Sequence, residues 1–287
     1  MSGVVLSRPM EMASGGPSAT ALARIVPVRQ RRRPLMPRSI SKATGAVLLL
    51  GLWWLTTAKG WVPEDVFPSP GTMAETLRNL INNGDLAEAM SLSLQRVAIG
   101  FSIGCVVGIG LALLSGLLRL GEDLVDAPMQ MLRTLPWAGL IPLLIIWLGI
   151  DETPKITLVA YAVTFPLYIN TFAGIRNVDR TLVEVAHTLG LGRMALILQV
   201  ILPGALPNVL VGLRYSLGSA WLALVFAETV NAQGGLGYLI IHAREVYRVD
   251  IIVLCLAIYA LLGLSADLIV RFLEARLLRW RQTFAGT

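Results

Sequence analysis

Residues 184–207 read EVAHTLGLGRMALILQVILPGALP. A helix-compatible run carries Glu184 and Ala186 and stops at Gly190, the residue type that accepts the left-handed backbone closing many helices. Upstream, Asp179 or Thr181 can cap the helix start, and Thr181-x-x-Glu184 has the spacing of a capping box. A carboxylate at Glu184 also suits the positive end of the helix dipole. Residues 193–200 are compatible with a second short helix. Pro203 and Pro207 cannot sit in a helix interior, but Pro207 can open a new helix in its first turn. The stretch therefore predicts a compact helix–turn–helix, with Leu182, Val183, Ala186 and Leu189 as its apolar face.

Apolar segments flank this hairpin. Six are legible, at about 40–58, 92–118, 135–150, 155–175, 207–228 and 250–273. A membrane-crossing helix needs ~20 apolar residues, or ~17 at the short end. The third segment is short unless it starts near Leu132, ahead of Pro136 and Pro142. In the second, Gly100, Gly104 and Gly108 stand four apart and form a flat ridge that lets another helix approach closely. The fold expected is all-α, a polytopic membrane protein of about six transmembrane helices. Its transmembrane domain covers 39–281, with a hairpin loop at 179–207, a basic tail at 1–38 and a short C-terminal tail at 282–287.

Composition agrees. The chain has 287 residues, 55% of them hydrophobic and only 15% charged, against the ~25% charged of soluble domains. Cys105 and Cys255 lie inside apolar runs, where thiols fill helix contacts. With two cysteines and two histidines no disulfide framework or zinc spacing arises, and no metal site is expected. The net charge of +6 follows segment ends rather than a stripe, so no nucleic-acid partner is expected. A nucleotide-cradling loop needs Gly-x4-Gly-Lys-Ser/Thr. Lys42, Lys59 and Lys155, the three lysines, are followed by Ala, Gly and Ile. The chain is therefore expected to be no enzyme and to draw its energy from elsewhere.

Arginine and lysine counts set the orientation, because short cytoplasmic loops are enriched in both. With the N-terminus inside, the tail with Lys42, Arg119 and Arg133, the loop of Arg176, Arg180 and Arg193, and the end holding Arg271, Arg276, Arg279 and Arg281 place seventeen on the inner side. Lys59, Arg78, Lys155, Arg244 and Arg248 place five outside. Both termini and the Glu184 hairpin are expected in the cytoplasm, in a multi-pass cell-membrane protein.

The spacing Glu184-x-Ala186-x3-Gly190-x11-Leu202-Pro203 resembles the cytoplasmic "EAA" loop of importer-type ABC permeases. Residues 135–156 and 226–240 resemble the nitrate/sulfonate/taurine/bicarbonate group of those permeases. Residues 165–171, 174–180 and 200–207, with 259–263 and 278–280, look closest to the aliphatic sulfonate permeases. The resemblance covers roughly 45–281. Val185 departs from it, standing where the motif usually has Ala.

The resemblance implies a type I ABC importer (MetI-like) permease fold and a loop in which Glu184, Val185, Ala186, Gly190, Leu202 and Pro203 grip an ATPase. It also implies an ATPase subunit dimer, a second permease copy and a periplasmic or surface-anchored solute-binding protein, all working in membrane lipid. ATP and magnesium would bind the ATPase, leaving this chain without a cofactor. An anionic alkanesulfonate is the implied cargo, with taurine, nitrate or bicarbonate as alternatives.

Polar groups inside a membrane are costly and often functional. On that ground Tyr161, Thr164, Tyr168, Asn170, Arg214, Tyr215, Ser216, Ser219 and Glu228 are candidates for a substrate path. A guanidinium at Arg214 could hold a sulfonate bidentately. Glu228 would repel an anion, so a gate or hydrogen-bonding role fits it better. An ion-coupled carrier is a competing reading, but such carriers show internal repeats, and none is visible here.

Overall fold

The computed structural model describes residues 38–64 and 66–280. The expected basic tail before Arg38 and the expected C-terminal tail 282–287 lie outside the described residues. Among those described there is no strand. The backbone groups of an apolar chain in lipid must be satisfied internally, which helices do segment by segment.

The chain divides into two compact units at Gly51/Leu52. The first unit's described part is most of α1 (Arg38–Ala58), with Val47, Leu48 and Leu50 exposed. The second unit holds the rest. Its helices are α2 (Pro70–Asn82), α3 (Asp85–Leu117), α4 (Arg119–Leu132), α5 (Trp137–Leu148), α6 (Thr153–Arg176), α7 (Arg180–Thr188), α8 (Arg193–Val230), α9 (Leu236–Glu245) and α10 (Val249–Leu277).

Four of the described helices, α3, α6, α8 and α10, are long and apolar enough to cross a membrane, and α4 with α5 makes a fifth if the bent pair is one span. The expected segment 40–58 is α1, which is not among these. The expected segment 135–150 is not a free-standing span. It is the second arm of a pair bent by 87°. Pro136 lacks an N–H and breaks the chain there, while Pro142 falls in the first turn of the second arm, where a missing donor costs little.

Helix α6 is the centre. Two thirds of its apolar window (67%) is buried, against 28%, 17% and 22% for α3, α8 and α10. The glycine ridge of α3 explains the contact on one side. A Cβ at Gly104 would stand 2.7 Å from the Ala160 carbonyl and the Val163 Cβ, and one at Gly108 would stand 2.8 Å from the Thr164 carbonyl. Gly212 of α8 meets Asn170 of α6 in the same way, at 2.9 Å. Backbones this close leave no groove between them. Cys255 is buried and Cys105 half-buried, both as free thiols.

The proline reading needs correction. Residues 193–200 do not form a separate helix. They lead through a π turn, Ile197–Ile201, straight into Leu202–Asn231. Pro203 takes the first-turn position expected for Pro207, and Pro207 lies inside the helix. The π turn shifts the hydrogen-bond register just where Pro203 can donate nothing, so the helix axis continues.

Candidate functional site

The hairpin is built by local rules. The Thr181 amide donates to the Asp179 carboxylate at 2.8 Å, so Asp179 is the cap and Thr181 is not. The helix closes as the Gly190 amide bonds the His187 carbonyl and the Leu191 amide bonds the Ala186 carbonyl, both at 3.0 Å. Gly190 has φ of 76°, the left-handed backbone that a side chain resists. Glu184 is exposed.

Ala186 sits on the inner side of the apolar face. It is 4% exposed, and the apolar stripe facing outward is Leu182, Val185 and Leu189. These three are three and four residues apart and share one helix face. Val185, the departure from the motif, therefore lies on the outward stripe. The stripe itself lines an apolar groove of about 580 Å³, together with Ala186, Val200, Pro203 and Trp280 among others. Pro203 is exposed just after the π turn within the long helix, with Leu202 half-buried beside it.

The candidates for a substrate path are mostly engaged in packing. Tyr161 donates to the Leu132 carbonyl at 2.6 Å, satisfying the end of α4 where the bent pair breaks. Thr164 donates to the Ala160 carbonyl at 2.8 Å, and Asn170 to the Pro166 carbonyl at 2.7 Å, each within α6. Buried Tyr168 reaches Asp126 at 3.0 Å. Ser216 donates to the Val163 carbonyl at 2.9 Å, joining α8 to α6. Ser219 is half-buried, and Tyr215 is 63% exposed.

Arg214 is occupied as well. It lies 2.7 Å from Glu274 and 3.1 Å from Asp267, both on α10. Two carboxylates pair with it in this structure, and its bonds run to α10 rather than to the α3–α6 core.

Glu228 gathers the most partners. It is 1% exposed. Its carboxylate accepts from Ser93 at 2.7 Å, Arg96 at 2.6 Å, the Gly237 amide at 2.8 Å and Tyr259 at 2.9 Å. Arg96, 3% exposed, also donates to the Gly234 carbonyl at 2.6 Å and, through Nε and Nη2, to Glu152. Lys155 donates to the same Glu152 oxygen as Nη2, at 2.9 Å. These hydrogen bonds, first those from Arg96, hold the Glu152 carboxyl down to about 2.

Buried charges are retained only when paired and hydrogen-bonded, and Glu228, Arg96 and Lys155 each have a charged partner here. A Cβ at Gly235 would stand 2.5 Å from both Arg96 and Glu228, which explains that glycine at φ 109°. Sequence reading singled out Glu228 and missed Ser93, Arg96, Glu152, Lys155 and Tyr259. The pointer was present. Ser93, Arg96, Gly100 and Gly104 fall at helical spacing on the buried face of α3.

The described residues make an all-helical, multi-pass membrane protein with a capped, partly apolar hairpin between two of its long helices. The chain belongs to the family described as the binding-protein-dependent transport system inner membrane component, which matches residues 104–279. Members are transporter subunits rather than enzymes in themselves.

Over 236 residues the chain is 46% identical to a protein of Escherichia coli (strain K12) named for aliphatic sulfonates transport, SsuC, spanning 82% of this chain and 90% of that one. A protein of the same name from Bacillus subtilis (strain 168) is 41% identical, over 83% and 87%. The taurine transport system permease protein TauC of Escherichia coli (strain K12) is 30% identical, over 85% and 91%. Among solved structures, an amino acid ABC transporter shares the fold with a TM-score of 0.58 at 19% identity, over 70% of this chain and 97% of that one.

Proposed function

We propose that this chain is the membrane permease of an ATP-driven importer for aliphatic sulfonates, working as two copies with two ATPase subunits and an external solute-binding protein. The observation that carries the coupling role is the exposed stripe of Leu182, Val185 and Leu189, which with Ala186 lines an open apolar groove. A short, capped helix of this kind transmits motion as a rigid body, and its apolar stripe gives a partner something to bury. Binding ATP and magnesium falls to that partner. The cargo reading rests on the sulfonate-named relatives at 46% and 41% against 30% for the taurine-named one. The hairpin faces the cytoplasm, with both termini, on the charge asymmetry.

The test is reconstitution with the ATPase and the binding protein, following labelled ethanesulfonate with taurine and nitrate as competitors. Gly190→Val forces a branched side chain into a left-handed backbone. It is expected to lower ATP-driven uptake at least about tenfold (~1.4 kcal/mol of coupling) while membrane insertion is unchanged. Wild-type uptake by Gly190→Val and Glu184→Ala would sink the coupling role of the hairpin.

A further inference from the structure

At the start of α6, Lys155 is 4% exposed, and on α3 Arg96 is 3% exposed. Both converge on one carboxylate, that of Glu152, whose side chain is 52% exposed. The arrangement is lopsided: two buried cations are covered by a half-exposed anion. Lys155 also stands in the first turn of α6, at the positive end of the helix dipole, where an anion is favoured and a cation is not. Packing α6 alone does not call for an ammonium there.

Arg96 is held rigidly, and the close approach of α3 and α6 fixes where the Lys155 stem leaves its helix. Gly100 brings α3 against Ile156 and Val159 of α6, where a Cβ would meet atoms at 2.7–2.8 Å. Arg96 is further fixed by Glu228 at 2.6 Å and the Gly234 carbonyl at 2.6 Å. Glu152 stands at the N-cap of the helix, and its carboxylate takes its hydrogen bonds from Arg96 and Lys155 themselves. A rotation of its side chain alone would uncover a guanidinium edge and an ammonium already in place. Charge then decides what fits. With Glu152 turned away, Arg96 and Lys155 outweigh Glu228 by one positive charge, which a single monoanion balances.

We propose that Arg96 and Lys155 form a preorganised oxyanion seat at the outer mouth of the permease, in which the Glu152 carboxylate is a displaceable stand-in for the anionic headgroup of the incoming solute. The seat offers a bidentate guanidinium edge and one ammonium, three donors, which suits a sulfonate and also a carboxylate or phosphate. Preorganised donors bind without an ordering cost. Tethered Glu152 competes with the solute, so occupancy is brief and transfer onward is favoured. This rests on the importer reading for the location of the seat and the class of cargo.

The experiment uses the full permease with its ATPase in phosphatidylcholine nanodiscs, titrated with ethanesulfonate and followed by thermal melting. Glu152→Ala is expected to bind ethanesulfonate at least about tenfold more tightly than wild type, ~1.4 kcal/mol. Glu152→Gln, which keeps the side chain's shape, should show the same direction of change. Adding Lys155→Met to either should abolish the gain. Four results overturn the seat: no gain in both single variants, a gain that survives Lys155→Met, an equal response to chloride at matched ionic strength, or loss of the gain when anionic lipid is added, which assigns the donors to a lipid phosphate. Uptake of ethanesulfonate by the wild-type transporter tests the importer reading separately, so either can fail while the other stands.

Discussion

Removing the Glu228 carboxylate would leave the Arg96 charge buried with one partner fewer and strand the Tyr259 hydroxyl and the Gly237 amide. Breaking a buried pair of this kind costs about 3–5 kcal/mol, so Glu228→Ala is expected to melt far below wild type in detergent. A melting temperature within a degree or two of wild type would show the hub to be dispensable. Glu152 behaves differently because it is half-exposed. Its carboxyl is held down to about 2 from an ordinary 4.5. A depressed acid stabilises fully above its unfolded value and loses that contribution as pH falls toward the folded one. The melting difference between wild type and Glu152→Gln should therefore be flat from about pH 8 to about pH 5.5 and shrink only below ~4.5. Shrinkage between pH 8 and 6 would contradict the pairing. At this scale the sequence told only half. Glu228 drew notice as a charge near a membrane segment, but its partners come from α3, α9 and α10, and pairing across helices is not written in spacing along one of them. The partners of Arg214 were hidden for the same reason, since Asp267 and Glu274 lie more than fifty residues away.

The elements were more legible, because hydrophobic runs and punctuation are local. Asp179, Gly190 and the apolar runs placed α6, α7 and α10 closely. The bent pair was not foreseen as one unit. Its break depends on Pro136, but its folded shape depends on Tyr161 reaching the Leu132 carbonyl from another helix. The π turn before Pro203 was likewise hidden, since two prolines read equally well as helix starts. The glycine ridge makes a sharp prediction for α3. Gly104→Leu drives side-chain atoms into the Ala160 carbonyl and Val163, with an overpacking cost of about 1–3 kcal/mol or more. Gly110→Ala, where nothing lies within 4 Å, should be neutral or stabilise by up to ~1 kcal/mol. Thermal melting of the two variants side by side checks this, and equal effects would remove the ridge as the cause of the close α3–α6 approach.

For the whole molecule, composition and charge asymmetry pointed to a multi-pass protein, and the family match agrees. Orientation is tested by cysteine labelling from either side of the membrane. Asp151→Cys should react from outside and Glu184→Cys from inside, and the reverse pattern would invert the reading. The proposed function ties residue, element and molecule together: on that reading solute crosses only when an external motor acts through the 184–203 hairpin. The direct measurement is uptake of labelled ethanesulfonate into proteoliposomes holding this chain, with the ATPase, the binding protein and ATP each omitted in turn. Uptake is expected only when all three are present, and to fall at least about tenfold in Gly190→Val. Uptake by the permease alone, without an ATPase, would contradict it.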